Sequence, residues 1–427
     1  MVGEVAEEES AAVAKQWHKL PELVPGIRHR VPAVGTAEPL DALRRAQPAD
    51  VEAQFCSERL IEHHQGRIGK TRARFRMGKL GQAIGERVVQ LGCVHNPTLD
   101  WQAMDNGRTL RTLDSLIWDT ALVRASAPVL ICHDPTLELT RSALSAGATV
   151  TFADPDYARS QEAASLGAEV VGDVRLDAHL ARARGDVVAI GEMPKSLSRL
   201  DYLARSIAGA GYSSARLVLG ANNKHLSRGM NAVLAASFEQ VTASRGRGKF
   251  RCLVASGPKQ VSYEPLLGNG LVAVGGVFSG AKADRGGQLL RSSLPEEPGR
   301  LLDLGCGNGS VTRGMGGIAT DADADAVLSA RAIGMEATWD DAGSHFPDAS
   351  FDTVALNPPF HDGTAVDATL VQHLLYAAVR LLAPGGALYM VHNSHLRYRG
   401  EVERRFTSVD QVARDATFTV LRAEKEG

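Results

Sequence analysis

Paired cysteines are missing from this 427-residue chain: Cys56, Cys93, Cys132, Cys252 and Cys306 are odd in number, scattered, and never spaced as Cys-x-x-Cys. The pattern excludes a disulfide framework, indicates no zinc or other metal site, and fits a reducing cytoplasm. Long apolar runs are missing too. Stretches such as Leu374 to Ala383 are cut by charge, here Arg380, and fall far short of the roughly 20 residues a membrane helix needs. Met1 to Ser10 carries Glu4, Glu7, Glu8 and Glu9 and no basic side chain, the reverse of a signal peptide, so neither secretion nor a membrane is expected. Lysine is scarce: of 47 basic residues 10 are Lys and 37 are Arg, so an isolated Arg cluster carries little weight. The formal net charge of −2 means that any nucleic-acid footprint must be local.

What remains is the composition of a soluble globular protein, 44% hydrophobic and 22% charged, long enough for two or three domains at about 150 residues each. From Val129 onward, β-branched runs alternate with helical stretches, which predicts βαβ units and parallel sheets. The first block has apolar runs at Val129 to Cys132, Thr149 to Phe152, Glu169 to Val171, Val187 to Ile190, Arg216 to Leu219 and Cys252 to Ala255. The second has them at Leu301 to Leu304, Gly317 to Thr320, Glu336 to Trp339, Thr353 to Leu356, Ala387 to Val391 and Thr417 to Leu421. Six strand candidates in each, in similar order, predict a duplicated α/β architecture. The segment Pro258 to Arg300, rich in Gly, Ser and Pro, separates the blocks. The first 50 residues carry five prolines without periodicity and read as a loosely ordered extension.

The chemistry gathers in the second block. Leu301-Leu302-Asp303-Leu304-Gly305-Cys306-Gly307-Asn308-Gly309 is an apolar strand running into Gly-x-Gly-x-Gly at the carboxyl edge of a sheet. There, open α/β folds bind small molecules and glycines let the backbone approach a ligand. The second strand ends in Asp321, suited to accept hydrogen bonds from both hydroxyls of a ribose. The third ends in Asp340 and Asp341, within reach of an adenine ring. Helix capping is the alternative for these acids. After the fourth strand comes Asn357-Pro358-Pro359-Phe360-His361. Two prolines remove two donors and fix φ, leaving rigid carbonyl acceptors. The Asn357 side-chain oxygen and the Pro358 carbonyl can accept both hydrogens of an exocyclic amine while Phe360 stacks on the base.

DLGCGNG, the acidic end of the second strand and NPPF together resemble the class I S-adenosylmethionine-dependent methyltransferases that act on amines. The likeness extends through Val277-Phe278-Ser279, Asp284-Arg285-Gly286, Val391-His392-Asn393-Ser394-His395-Leu396-Arg397-Tyr398 and the stretch from Thr417 to Glu424. In the first block it includes Met104 to Arg108, Trp118-Asp119 and Met193-Pro194-Lys195. The chain is thus similar, over about 104 to 425, to the two-domain bacterial ribosomal RNA guanine-N2 methyltransferases, nearer the large-subunit type by HLRY and the C-terminal strand.

The resemblance implies two tandem Rossmann-like methyltransferase domains, the first degenerate: an N-terminal extension over 1–100, a degenerate RNA-docking domain over 101–262 and a catalytic domain over 263–427. It implies S-adenosylmethionine as cofactor, with Asp303, Gly305, Gly307 and Gly309 along the methionine moiety, Asp321 at the ribose and Asp340 at the adenine edge. Asn357, Pro358, Pro359 and Phe360 would hold the target base, and the partner would be ribosomal RNA or a ribosomal subunit. Only 11 residues separate Gly309 from Asp321, so the first helix is expected to be short, with Gly314, Gly316 and Gly317 in it as poor helix formers.

In the first block, His133-Asp134-Pro135 stands where a cofactor loop needs glycines, and Met193-Pro194-Lys195 where the tetrad would be. Two basic runs, Arg67 to Lys79 and Arg245 to Arg251, are candidate RNA contacts or solvated faces. His361 and His395 read as structural or RNA-contacting, and Cys306 as packing. Methylation of adenine N6 or of a protein glutamine, and a non-catalytic ribosome-assembly factor, remain the alternatives. Oligomeric state is not legible.

Overall fold

The computed structural model describes residues 110–124, 127–359, 368–396 and 398–427. The 1–100 extension with its run from Arg67 to Lys79, Met104 to Arg108, Phe360, His361 and Arg397 lie outside the described residues.

Among the described residues the chain builds two seven-stranded sheets of the same topology. The first contains β1 (Pro128–His133), β2 (Thr149–Phe152), β3 (Glu169–Val170), β4 (Asp186–Glu192), β5 (Ser214–Asn222), β6 (Phe238–Ala243) and β7 (Phe250–Pro258), in the order 3-2-1-4-5-7-6. A hairpin of β8 (Leu266–Gly268) and β9 (Leu271–Ala273) follows. The second sheet contains β10 (Leu301–Leu304), β11 (Ile318–Asp321), β12 (Glu336–Trp339), β13 (Phe351–Leu356), β14 (Leu382–Asn393), β15 (Ser408–Arg414) and β16 (Phe418–Glu424), in the order 12-11-10-13-14-16-15. In each, the first five strands pair in parallel and the last two antiparallel. The central strands are buried on both faces, as parallel sheets require, and so read as largely apolar runs: Leu301, Leu302 and Leu304 are buried, and so is Asp303 among them.

Every strand expected from the sequence is present, and each sheet has one more. β6 and β15 are edge strands whose side chains are mostly exposed, so neither forms an apolar run. A second difference corrects the expectation of a short first helix. The stretch between β10 and β11 holds no helix but a series of turns, with the Arg313 N–H on the Gly309 carbonyl (3.1 Å) and the Met315 N–H on that of Thr312 (3.0 Å). Gly314 and Gly316 sit at φ +78° and +74°, outside helical space, which is where glycine's freedom breaks the helix.

The sheets meet through a near-symmetric contact of the loops after their second strands. Tyr157 N–H donates to the Ala322 carbonyl (2.9 Å) and Ala324 N–H to that of Pro155 (2.8 Å), with Asp156 bridging Asp323. Trp339 closes the seam, its indole N–H on the Pro155 and Ala322 carbonyls and its ring edge-on to Tyr157 at 5.2 Å. Beside it Arg199, 12% exposed, pairs with Asp325, 3% exposed, at 2.5 Å.

Candidate active site

β10, β11, β12 and β13 end along one edge, and their termini carry the acids, glycines and asparagine singled out in the sequence. Gly305 and Cys306 N–H groups donate to the Thr320 carbonyl (2.9 and 3.0 Å), which turns the chain sharply off β10. Gly305 and Gly307 hold φ of +77° and +53°, and a Cβ on either meets no atom within 4 Å. That open cradle is the space a ligand needs. Gly309 is a glycine for another reason: a Cβ there would lie 2.5 Å from the Met335 sulfur and 3.1 Å from Ile333.

Asp303 is buried beneath the loop and accepts from the Thr312 hydroxyl at 2.7 Å; burial pushes its carboxyl up to about 7. Asp321 is half-buried, one oxygen accepting from Gly307 N–H (2.8 Å), the other from Asp323 N–H (2.9 Å). Burial raises its pKa against those hydrogen bonds. The capping alternative falls to its neighbour, since Asp323 caps the helix Ala324–Ala332. Asp340 is fully buried and holds its turn together, accepting from Thr320 (2.7 Å), Gly343 N–H (2.7 Å) and Thr338 (3.2 Å). Asp341 is exposed and pairs with His373 at 2.8 Å.

At the end of β13, Asn357 is half-buried, Pro358 buried and Pro359 exposed. The Asn357 amide Nδ2 donates to Asp284 Oδ2 at 3.3 Å, which leaves its Oδ1 as the acceptor for an incoming donor. Three further residues at this edge escaped the sequence reading as individuals. Asp284 precedes the helix Arg285–Ser293 in the glycine-rich segment between the blocks. Asn308, buried inside the glycine loop, donates to the Gly280 and Lys282 carbonyls (2.7 and 2.8 Å) and ties the loop to that segment. Phe418, paired with Asn393 across β14 and β16, carries the Arg285 guanidinium over its ring at 6.0 Å. Nothing in their spacing could have found them.

Cys306 is buried in an apolar cluster with Ala319, Val327 and Trp339, and burial holds its thiol well above the ordinary range, so it packs. His395 is exposed. Among the described residues no group of three His, Cys, Asp or Glu could hold a metal ion, and no helix is long and apolar enough to cross a membrane.

In the first sheet the matching strand ends carry paired side chains. His133, at the end of β1, binds Asp154 through Nδ1 (2.9 Å), and Arg159 adds two contacts (2.8 and 3.1 Å). Burial would raise the Asp154 carboxyl, but His133 and Arg159 hold it well below the usual range. His133 thus stands at the strand end where the second sheet carries its glycine loop, and Met193, where the Asn-Pro-Pro motif would start, is buried. On the β6–β7 turn Arg245 and Lys249 are exposed, as is Arg251 at the start of β7, whereas Arg247 is tied to Asp119 and Ser115, both at 2.7 Å.

Residues 269–422 match the family described as the methyltransferase small domain. The Ribosomal RNA large subunit methyltransferase G of Shewanella amazonensis is 30% identical over 260 residues, 55% of this chain and 68% of that protein. The enzyme of the same name from Pseudomonas entomophila is 31% identical over 263 residues, 55% of this chain and 69% of that one. Among solved structures, the 16S rRNA N2 methyltransferase of T. thermophilus, in complex with AdoMet and guanosine, superposes with a TM-score of 0.59 at 23% identity. It covers 74% of this chain and 92% of its own, and it shows that the tandem methyltransferase-like fold is shared.

Proposed function

The chain belongs to the family of ribosomal RNA large subunit methyltransferase G, and on that premise we propose that it methylates the exocyclic N2 amine of a guanine in ribosomal RNA. The single observation that carries this reading is the Asn357 carboxamide, its NH2 engaged by Asp284 so that its other polar atom is an acceptor with no partner among the described residues, beside the open Gly305–Gly307 cradle.

S-adenosylmethionine, when bound, supplies an electrophilic methyl on a positively charged sulfur. Gly305 and Gly307 would admit its chain, Asp321 its ribose, the turn held by Asp340 its adenine, and Asp303 its cationic methionine end. Asn357 Oδ1 and the Pro358 carbonyl would accept both hydrogens of the target amine and so turn its lone pair toward the methyl. Transfer needs mainly this alignment, and the proton can leave afterward to water. Phe360, outside the described residues, would stack on the base. In this reading residues 263–427 are catalytic and 101–262 grip the RNA, with the guanine unstacked into the pocket. A ribosomal RNA substrate sets the reaction in the cytoplasm.

The test is mass spectrometry of nucleosides from unmodified ribosomal RNA or subunits incubated with protein and labelled S-adenosylmethionine. Labelled N2-methylguanosine, absent with Asn357→Ala, is the expected product. Label in N6-methyladenosine or in protein would transfer the activity to the other planar amines, and absence of cofactor binding would leave an assembly factor.

Two further outcomes follow from this reading. The Asp303 carboxyl, at about 7 in the free protein, must ionise to meet a cation. Cofactor affinity therefore falls about tenfold for each pH unit below about 7, by linkage. Calorimetry between pH 5.5 and 8.5 checks this, and Asp303→Asn removes the slope. Second, changing Arg245, Lys249 and Arg251 together to Gln reduces the slope of log affinity for RNA against log salt by about 2 to 3, roughly 0.7–0.9 per lost phosphate contact. Arg247→Gln changes it less, because Asp119 already offsets that charge. Filter binding from 50 to 200 mM salt reads both.

A further inference from the structure

A carboxamide has one shape and two opposite faces: rotated by half a turn, Asn357 would present N–H donors where the reaction needs an acceptor. Among the described residues no backbone group hydrogen-bonds the Asn357 side chain. The selection comes from a residue 73 positions earlier, since Asp284 Oδ2 accepts from Asn357 Nδ2 at 3.3 Å. A carboxylate is an acceptor only, so a flipped Asn357 would set oxygen against oxygen. The same Asp284 oxygen accepts from Gly287 N–H at 2.9 Å and caps the helix Arg285–Ser293, which fixes the carboxylate before Asn357 meets it.

The helix's first turn is shaped around this contact. Gly286 and Gly287 are poor helix formers in the place where the helix begins. Both are buried: a Cβ on Gly287 would lie 3.2 Å from Val311 and 3.5 Å from Asn357 Nδ2, and one on Gly286 would lie 3.2 Å from the Phe418 ring. The two glycines let Asn357 and Phe418 close on the capped turn.

We propose that Asp284 is a positioning residue that fixes the flip of the Asn357 carboxamide, so that its oxygen faces the target amine. The inference rests on the reading of Asn357 as the amine acceptor. It separates the two uses of one carboxylate, and two substitutions separate them experimentally. Asp284→Asn keeps a long side chain whose oxygen can accept from both Gly287 and Asn357. Asp284→Ser still caps the helix but is too short to reach Asn357.

Asp284→Ser is expected to lower kcat about 30- to 100-fold, with the KM for RNA, the Kd for S-adenosylmethionine and the melting temperature nearly unchanged. Asp284→Asn restores the rate to within about fivefold. In an Asn357→Ala background Asp284→Ser costs less than about twofold, because the group it positions is gone. A readout independent of substrate is the Asn357 side-chain amide pair in the 15N spectrum, identified by its loss in Asn357→Ala. It moves in Asp284→Ser and stays in Asp284→Asn. An unmoved pair, an undiminished kcat in Asp284→Ser, or a full additive loss in the Asn357→Ala background overturns the proposal. Should the wild type leave guanine unmethylated while the amide pair responds as expected, the substrate reading falls and the positioning stands.

Discussion

Asn357→Ala lowers the single-turnover rate of methyl transfer about 10³-fold, equivalent to about 4 kcal/mol of transition-state stabilisation, while cofactor affinity changes by no more than a few-fold. The size follows from what the side chain does. Asn357 follows the end of β13, and its side-chain amide donates to Asp284 at 3.3 Å. On the proposed reading, alanine removes the oxygen that would hold one N–H of the target amine, and the nitrogen would then lose the orientation that aims its lone pair. The stem that packs near Gly287 is small and the residue half-buried, so the fold is spared. Asn357→Asp is a stricter version of the same test. It keeps the acceptor but sets a second carboxylate against Asp284, and the repulsion pushes the side chain out of line, so the rate falls as well. Rapid-quench kinetics with labelled cofactor, alongside calorimetry of cofactor binding, distinguishes lost alignment from lost binding. Parallel losses in both would mean that Asn357 belongs to the cofactor cradle instead.

The largest effect on stability is expected at the seam between the sheets. Arg199→Ala destabilises the protein by about 3–5 kcal/mol in urea unfolding, the range for breaking a buried ion pair from one side. Arg199 binds Asp325 at 2.5 Å and the Ala153 carbonyl at 3.0 Å, and its guanidinium lies 5.2 Å from the Tyr202 ring centre. Burial would lower its pKa, but Asp325 and the acids around it hold the charge in place. Without it, Asp325 keeps one hydrogen bond, from Gly276 N–H at 2.7 Å, and no facing cation. Burial already raises the carboxyls of Asp323 and Asp325. A carboxyl whose folded pKa lies above its unfolded one costs stability as pH rises through that interval, and the cost vanishes as pH falls to the unfolded value. The deficit of Arg199→Ala therefore shrinks from pH 8 toward pH 5. Arg199→Met combined with Asp325→Leu recovers most of the loss, since no buried charge is then left alone. A deficit that stays constant across that pH range would mean the loss is one of packing around Tyr202 and not of charge.

The sequence by itself determined the architecture and singled out the residues proposed for the second block's chemistry. Parallel strands buried on both faces have to be apolar runs, so β1, β10 and β13 announce themselves. Turns with φ above zero are cheapest for glycine, so Gly305 and Gly307 mark the cradle. Two prolines after an asparagine cannot continue a ladder, so Asn357 to Pro359 mark the end of β13. The edge strands β6 and β15 stayed hidden because exposed strands need no apolar pattern, and the turns after Gly309 replaced an expected helix because backbone freedom at Gly314 and Gly316 outweighed the family pattern.

Only the tertiary structure decided which groups work together. Asp284 meets Asn357 across 73 positions, Arg199 meets Asp325 across 126, and His133, Asp154 and Arg159 pair at the first sheet's strand ends. Hydrogen bonds and ion pairs act over a few ångströms of space, and no periodicity along the chain encodes them. They exist only once the two sheets have folded and brought their strand ends into line.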